Sequence, residues 1–292
     1  MQLKTSIISR SWMVVLGLFA IWASLLFMQQ DPLHLISNYW YFLPLGIGGA
    51  VAANSTGAGG GIVFIPAFTS LGISGLQSLG TSLAIQCFGM SIGSLSWLIS
   101  IQRKQHGGKQ VIQLTHHLLL ISGLPATTGM LIAQYLLPAP VIAIATLFKF
   151  FSILFGITLL VITLRKSPHR HTRYTIKGAD KLLIGTVSLL GGMITSWISV
   201  GAGEWVALLL FFLGFPTMVA VCVAVCISAL TVLAGIPYHL WVAQSISVEI
   251  LLFAAPGAML GGGVARYLAE RLGPIRLKVF FAAWILATGL AM

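Results

Sequence analysis

Charged residues are scarce in this chain of 292 residues. They make up 7% of it, and only five are acidic, against 16 Lys and Arg. A soluble globular protein carries about 25% charged residues, whereas the mean hydropathy here is +0.99. The longest polar stretch is 165–181, which leaves no room for a soluble domain. The composition predicts an all-α polytopic membrane protein, and without a P-loop it excludes direct use of ATP by this chain.

Cysteine is also rare, and the patterns of common enzymes are missing. Cys87, Cys222 and Cys226 all lie in apolar segments, so no disulfide framework is indicated. The sequence has no HExxH motif and no pair of carboxylates within an apolar run. We therefore expect neither an enzyme nor a bound cofactor or resident metal.

Long apolar runs are what the sequence has in abundance. Runs of about 20 residues are candidate membrane spans, and seven are clear: 11–29, 77–101, 112–136, 141–164, 217–243, 247–265 and 279–292. No small-residue cleavage site follows the first run, so we interpret it as a retained span. Two further regions are interrupted: 39–73 is broken at Gly57–Gly61, and 182–215 at Gly201–Glu204.

Lys and Arg predict the topology, because short cytoplasmic loops carry them in excess. The basic loops are 102–111, 165–181 and 266–278. Placing them and the N-terminus inside forces 39–73 to start and end outside, and 182–215 to start and end inside. Both regions are thus predicted to be re-entrant hairpins, of opposite orientation, and the C-terminus is predicted to be periplasmic. The basic charge then orients the protein in the membrane and lies at the lipid surface, and no nucleic-acid partner is expected.

The two broken regions resemble each other. Ser55-Thr56-Gly57-Ala58-Gly59-Gly60-Gly61 aligns with Ser199-Val200-Gly201-Ala202-Gly203-Glu204-Trp205, and three spans follow each. This predicts two inverted-topology repeats. The expected units are an extra N-terminal helix (1–37), repeat 1 (38–164), a basic cytoplasmic linker (165–181) and repeat 2 (182–292).

Interrupted helices at matching positions of two halves point to a transport site near the midplane. A half-helix beginning near Gly61 and another near Glu204 would direct unsatisfied N–H groups and positive dipole ends toward each other. Two converging helix N-termini form an anion site. The simpler alternative, that the glycines only allow close helix packing, is our interpretation for Gly257 and its neighbours 261–263.

At these residues the chain resembles the TauE/SafE sulfite-exporter family. The resemblance covers about 40–292 and rests on Gly59-Gly60-Gly61 with Pro66, on Gly80-Thr81-Ser82, on Phe215-Pro216 and on the segment 256–280. It implies a bacterial inner-membrane permease for a sulfur-containing anion such as sulfite or an organosulfonate. Two departures stand out: Glu204 replaces a glycine of the family's pattern, and Cys222-Val223-Ala224 stands where the first half has Gly80-Thr81-Ser82.

The candidate substrate-binding residues flank the two breaks. They are Ser55, Thr56, Gly57, Gly59, Gly60, Gly61, Thr81, Ser82, Ser199, Gly201, Gly203, Glu204 and Trp205. Their hydroxyl and backbone N–H groups suit an oxyanion, although hydroxyls in membrane helices also bond their own backbone. Asn54 belongs with these hydroxyl residues, and Gln86 is a weaker candidate of the same kind.

Four side chains carry alternative interpretations. Glu204, the one carboxylate predicted within the membrane, is either a proton carrier or a structural acid in the first turn of a helix. Lys149 either reaches back to the surface or pairs with Glu204 or the anion. Cys222 and Cys226 share a helix face and either offer weak S–H donors to a sulfur anion or bind a soft metal, or are small buried hydrophobes, which is the more common case.

Three functions from different classes follow. The first is a secondary transporter, in the exporting direction, of a small sulfur-containing anion, with proton coupling through Glu204. The second is a passive anion channel on the same fold. The third is a cation or metal permease that uses Glu204 with Cys222 and Cys226, and it ranks last because these ligands are few and scattered. The sequence leaves the oligomeric state open.

Overall fold

The computed structural model describes residues 20–103, 108–138, 140, 142–164 and 172–291. All regular structure in this part of the chain is helical. The helices are α1 (20–27), α2 (Pro32–Tyr39), α3 (Phe42–Thr56), α4 (Gly61–Ser70), α5 (Gly75–Gln102), α6 (Lys109–Tyr135), α7 (Ile144–Leu164), α8 (Gly178–Ile198), α9 (Ala202–Leu213), α10 (Thr217–Pro237), a π-helical turn (Tyr238–Val242) and α11 (Val248–Ala291).

Six helices are long and apolar enough to cross a membrane, which confirms the prediction of an all-α multi-pass protein. They are α5, α6, α7, α8, α10 with its π turn, and the first arm of α11. The broken regions also fold as helix pairs, α3 with α4 and α8 with α9. The first helices of the two pairs differ in length. α3 has 15 residues, about 22 Å at 1.5 Å per residue, whereas α8 has 21, about 31 Å. On length alone, α8 can span a bilayer and α3 cannot.

The predicted loop 266–278 is shorter than expected, although the break between its two flanking spans does lie inside it. The helix continues through it, and only Gly273 leaves the helical conformation (φ 73°, ψ 168°), which divides α11 into two arms. Arg266, the first basic residue of this segment, is paired within the bundle, whereas Arg271 and Arg276 are exposed. Arg266 is buried, lies 2.5 Å from the Glu270 carboxylate and donates to Ser100 of α5.

The N-terminal prediction is only partly covered by the structure. Residues 1–19 lie outside the described part, as do 104–107 and 165–171 of two predicted basic loops. The end of the first predicted span is helical over 20–27. Its Trp22 donates from the indole N–H to the carbonyl of Leu252 at 2.7 Å, which holds α1 against α11. The connection from α1 to the first broken region also contains a helix that was not predicted, α2, whose start is capped by the Asp31 carboxylate.

Helix packing follows one pattern in both halves of the chain. α3 packs against the first arm of α11, and α8 packs against α6; α5 contacts α11, and α10 contacts α6. α5 also packs on α10, and α7 on α11. These pairings stay the same when each helix of the first half is exchanged with its counterpart in the second half. The counterparts are α3 and α8, α4 and α9, α5 and α10, α6 and the first arm of α11, and α7 and the second arm of α11. This exchange supports the predicted internal repeat.

Glycines allow these helices to approach closely. A Cβ on Gly257 or Gly261 would strike a backbone carbonyl of α3, and one on Gly129 or Gly192 would strike the facing carbonyl between α6 and α8. Gly257 and Gly261 therefore have the packing role expected for them, which is typical of helices that cross in a membrane. Gly263 does not share this role, because its nearest neighbour would lie 3.7 Å from a Cβ.

Candidate functional site

The first break lies where it was predicted. α3 ends at Gly57, whose φ of 84° is in the left-handed region that closes helices. Residues 58–60 connect it to α4, which begins at Gly61. The hydroxyls of Ser55 and Thr56 donate to the carbonyl of Ala52 in the preceding turn, at 3.2 and 2.7 Å. Both hydroxyls therefore use their protons within their own helix, and neither points a free O–H at a ligand.

The second break lies two residues earlier than predicted. α8 ends at Ser199, which has a φ of 62°, and α9 begins at Ala202 rather than near Glu204. The reason is that Glu204 caps the helix from its third position: its Oε2 accepts the N–H of Gly201 at 2.9 Å. The Thr195 hydroxyl accepts the next N–H, that of Ala202, also at 2.9 Å.

Glu204 joins the two breaks. Its side chain is fully buried, and its Oε1 accepts the backbone N–H of Gly59 in the first break. One carboxylate thus bonds an N–H group from each half of the chain. We call the region where the two breaks (57–61 and 199–204) meet around Glu204 the junction. No Lys or Arg of the described residues forms a salt bridge with it. Backbone N–H groups and the ends of α4 and α9 are the positive partners of this buried group.

Gln86 of α5 forms a second connection between the breaks. Its Oε1 accepts the N–H of Gly60 at 2.8 Å, and its Nε2 donates to the Ser199 hydroxyl at 2.7 Å. Ser199 donates in turn to Ser82 at 2.8 Å. Sequence reasoning gave Gln86 a minor place. The available signal was an amide inside an apolar span, one turn from Ser82 and therefore on the same face.

The glycines let the breaks touch. A Cβ on Gly203 would lie 2.7 Å from the carbonyl oxygen of Gly57 and 3.0 Å from that of Ala224. A Cβ on Gly59 would lie 3.1 Å from the Glu204 carboxylate. These distances are shorter than ordinary van der Waals contact, so side chains here would push the two breaks apart.

Some predicted residues lie elsewhere. Thr81 faces away from the breaks and accepts the N–H of Ser247 at 2.9 Å. The ring of Trp205 packs edge-on against Phe151 and Phe155 of α7, with centroids 5.8 and 5.6 Å away. Its indole N–H has no hydrogen-bond partner within the described ranges. Trp205 therefore forms an aromatic wall between α9 and α7, as an apolar neighbour of Glu204.

Lys149, Cys222 and Cys226 form no hydrogen bond with the Glu204 carboxylate among the described residues. No salt bridge links Lys149 to Glu204 in the described part of the chain. Cys222 and Cys226 are buried in α10. No group of three His, Cys, Asp or Glu side chains suited to a metal occurs among the residues described.

A small cavity lies beside the junction. It is bordered by α3, α4 and the second arm of α11, and Thr56, Gly59, Phe280 and Trp284 line it. Its size allows about one water molecule. The structure therefore holds the two breaks in a closed arrangement around Glu204.

Comparison with known proteins identifies the family. The sequence model of the sulfite exporter TauE/SafE family matches residues 42–292, which include both breaks and all six long apolar helices. No curated protein and no solved structure matches the chain. The family is one of membrane transporters of the sulfite-exporter type. Because the match covers far more than half of its length, this chain belongs to the sulfite exporter TauE/SafE family.

Proposed function

We propose that this protein is a secondary transporter that exports a small sulfur-containing anion, such as sulfite or an organosulfonate, and binds it where the two breaks meet. One observation carries the proposal: the N-terminal ends of α4 and α9 converge on a single buried anionic group, Glu204. Backbone N–H groups at helix N-termini bind oxyanions without a fixed cation. The junction already holds an anion, which belongs to the protein.

The Glu204 carboxylate offers the acceptor oxygens that a sulfur oxyanion would offer. It occupies the N–H groups of Gly59 and Gly201, and the neighbouring N–H of Gly60 is held by the Gln86 amide. A substrate anion needs the same donors, so it competes with Glu204 for them. Anion binding then requires the carboxylate to give up at least one of its two backbone partners.

Protonation of Glu204 makes one of these backbone N–H groups available to the substrate anion. A carboxylate accepts hydrogen bonds strongly at both oxygens, whereas a carboxylic acid has one O–H donor and a hydroxyl oxygen that is a much weaker acceptor. Protonated Glu204 therefore holds only one of the N–H groups of Gly59 and Gly201 strongly and loosens the other. Protonation also removes the charge that would repel an incoming anion. Cotransport of the anion with a proton follows from these two effects, and in the exporting direction the outward concentration gradient of the anion drives both.

Access from both sides is explained by movement of one half against the other. The proposed moving units are repeat 1 (38–164) and repeat 2 (182–292), in opposite orientations within the bacterial inner membrane. The exchange pattern of helix packing supports this arrangement, and Glu204 with Gln86 forms the contact that closes the two breaks on each other. Alternating access around a midplane site is the general behaviour of inverted-repeat transporters.

Flux measurements in proteoliposomes test the proposal. We expect the purified protein to catalyse sulfite counterflow at equal pH, and a pH gradient to drive sulfite uphill. A passive channel, the alternative on the same fold, gives flux that follows the electrochemical gradient and shows no counterflow. Absence of any sulfite flux, with flux of other anions, would contradict the proposed substrate.

A further inference from the structure

The segment that ends α10 is irregular and contains a buried histidine. α10 passes at Pro237 into a π-helical turn over Tyr238–Val242, and Gln244, a residue other than glycine, has a φ of 46°. π-helical turns and left-handed residues are often found at functional sites. His239 lies in this turn and is only 1% exposed. Sequence reasoning gave it no role.

One nitrogen of His239 has no partner. Its Nδ1 is 2.8 Å from the Ser245 hydroxyl, whereas its Nε2 has no hydrogen-bond partner among the residues the structure describes. Either tautomer therefore leaves a buried ring nitrogen unsatisfied, which is rare in proteins and calls for an explanation. The small cavity beside the two breaks is not lined by His239, and a proton is a ligand that needs no cavity.

The histidine lies next to a turn of α5 whose following residue reaches the second break. A Cβ on Gly80 would come within 3.1 Å of the His239 Nδ1 and 2.8 Å of the Ser245 carbonyl. Thr81 accepts the N–H of Ser247, and the adjacent Ser82 bonds Ser199 at the second break. Successive residues of one helical turn thus touch both the His239 segment and the Glu204 junction.

The surroundings of His239 hold few titratable groups. Tyr238 stands beside it in the same turn, with Tyr135 of α6 stacked edge-on against Tyr238. Glu249, at the start of α11, is exposed and accepts a hydrogen bond from Ser247. No carboxylate of the described chain bonds the imidazole itself. A charge on His239 would therefore be costly by itself and would be favoured by a negative charge bound nearby.

We infer that His239 is a proton-binding residue of the transport cycle, which takes up a proton at its unpartnered ring nitrogen when the anion enters the adjacent junction. This rests on the proposed function and adds a second proton site to Glu204. In the proton-binding step the neutral imidazole accepts a proton from the water on one side of the membrane and becomes imidazolium. The reverse step releases that proton to the water on the other side. The topology prediction places this end of α5 and α10 on the outer side.

Two variants test the inference in proteoliposomes. His239→Asn keeps an amide near the Nδ1 position for Ser245, and His239→Gln places one near Nε2; neither side chain takes up a proton. His117→Gln, at an exposed histidine of α6, is the control. Sulfite counterflow at equal pH is measured beside uphill uptake under a pH gradient, with proton movement followed by pyranine trapped inside the vesicles. Sulfite's own protonation is common to all four proteins.

The expected result is counterflow in every protein, with loss of the gradient-driven accumulation and of the pyranine signal in both His239 variants only. Full pH-driven accumulation in either His239 variant would overturn the inference. Loss of counterflow in both would also overturn it, because the residue would then serve folding or anion binding. Absence of counterflow in the wild type would instead refute the proposed function, and this inference with it.

Discussion

The proposed role of Glu204 predicts that Glu204→Gln behaves as a permanently protonated protein. Glutamine has the size of glutamate but a single acceptor oxygen. It retains a bond to the N–H of Gly59 or of Gly201, and its NH₂ group faces the other N–H. The variant therefore lacks one of the two bonds by which Glu204 joins the breaks, and it carries no negative charge to compete with substrate.

The size of the effect follows from the lost bond. A hydrogen bond to a charged group contributes about 1.5–3 kcal/mol. Since about 1.4 kcal/mol is a tenfold change in an equilibrium constant, the balance between joined and separated breaks shifts by roughly 10- to 150-fold. We expect the KM for sulfite at alkaline pH to fall by about tenfold or more, because the site no longer waits for a proton.

Sulfite uptake into proteoliposomes across a range of pH checks this prediction. Wild-type KM should rise with pH, and the Glu204→Gln profile should be flat apart from the protonation of sulfite itself. Glu249→Gln, at an exposed glutamate, is the matched control and should follow the wild type. A Glu204→Gln profile with the wild-type slope and KM would refute the reasoning, because the carboxylate would then be only a structural cap.

Three further predictions concern the contacts that hold the junction and the bundle. Gly203→Ala forces a Cβ toward backbone carbonyls that cannot rotate away, so we expect a loss of about 1–3 kcal/mol of stability and a loss of sulfite counterflow. The control Gly48→Ala, with open space around its Cβ, should keep the wild-type stability and counterflow. Equal melting temperatures for the Gly203→Ala and Gly48→Ala proteins would contradict this prediction. Gln86→Leu leaves the N–H of Gly60 without its acceptor, which costs about 1–3 kcal/mol; an unchanged melting temperature and counterflow rate would argue against its bridging role. Glu270→Gln leaves Arg266 without its counter-charge. Breaking a fully buried pair costs about 3–5 kcal/mol of stability, and we expect a smaller loss here because Glu270 is partly exposed. In thermal denaturation, adding Arg266→Met should recover part of the lost stability.

Helix content and the positions of the breaks were predictable because local chemistry sets them. Apolar runs long enough to span a bilayer gave the long helices, and Gly57 ends α3 because a residue without a Cβ adopts its left-handed conformation freely. The same local logic misplaced the second break. Ser199 adopts the left-handed conformation although it is not glycine, with its side chain held by Ser82 and Gln86 of α5, and no local pattern signals such a contact.

The loop at 266–278 was predicted too long for a related reason. Lys and Arg usually mark the end of a span, but the rule does not register a charge that is neutralised inside the bundle. Arg266 finds Glu270 one turn along the same helix and Ser100 on α5. The first contact was visible as an i, i+4 pair in the sequence, whereas the second depends on how α5 and α11 pack.

By itself, the sequence determined a helical membrane protein, two glycine-broken regions, the family, and a buried glutamate beside one of the breaks. These are properties of composition, local conformation and motif. Only the tertiary structure decided that Glu204 of one half bonds Gly59 of the other and that Gln86 connects the same two breaks. It also decided that His239 is buried with one ring nitrogen that no group of the described residues bonds. These contacts join residues distant in the chain, and the packing of whole helices, rather than any local preference, brings them together.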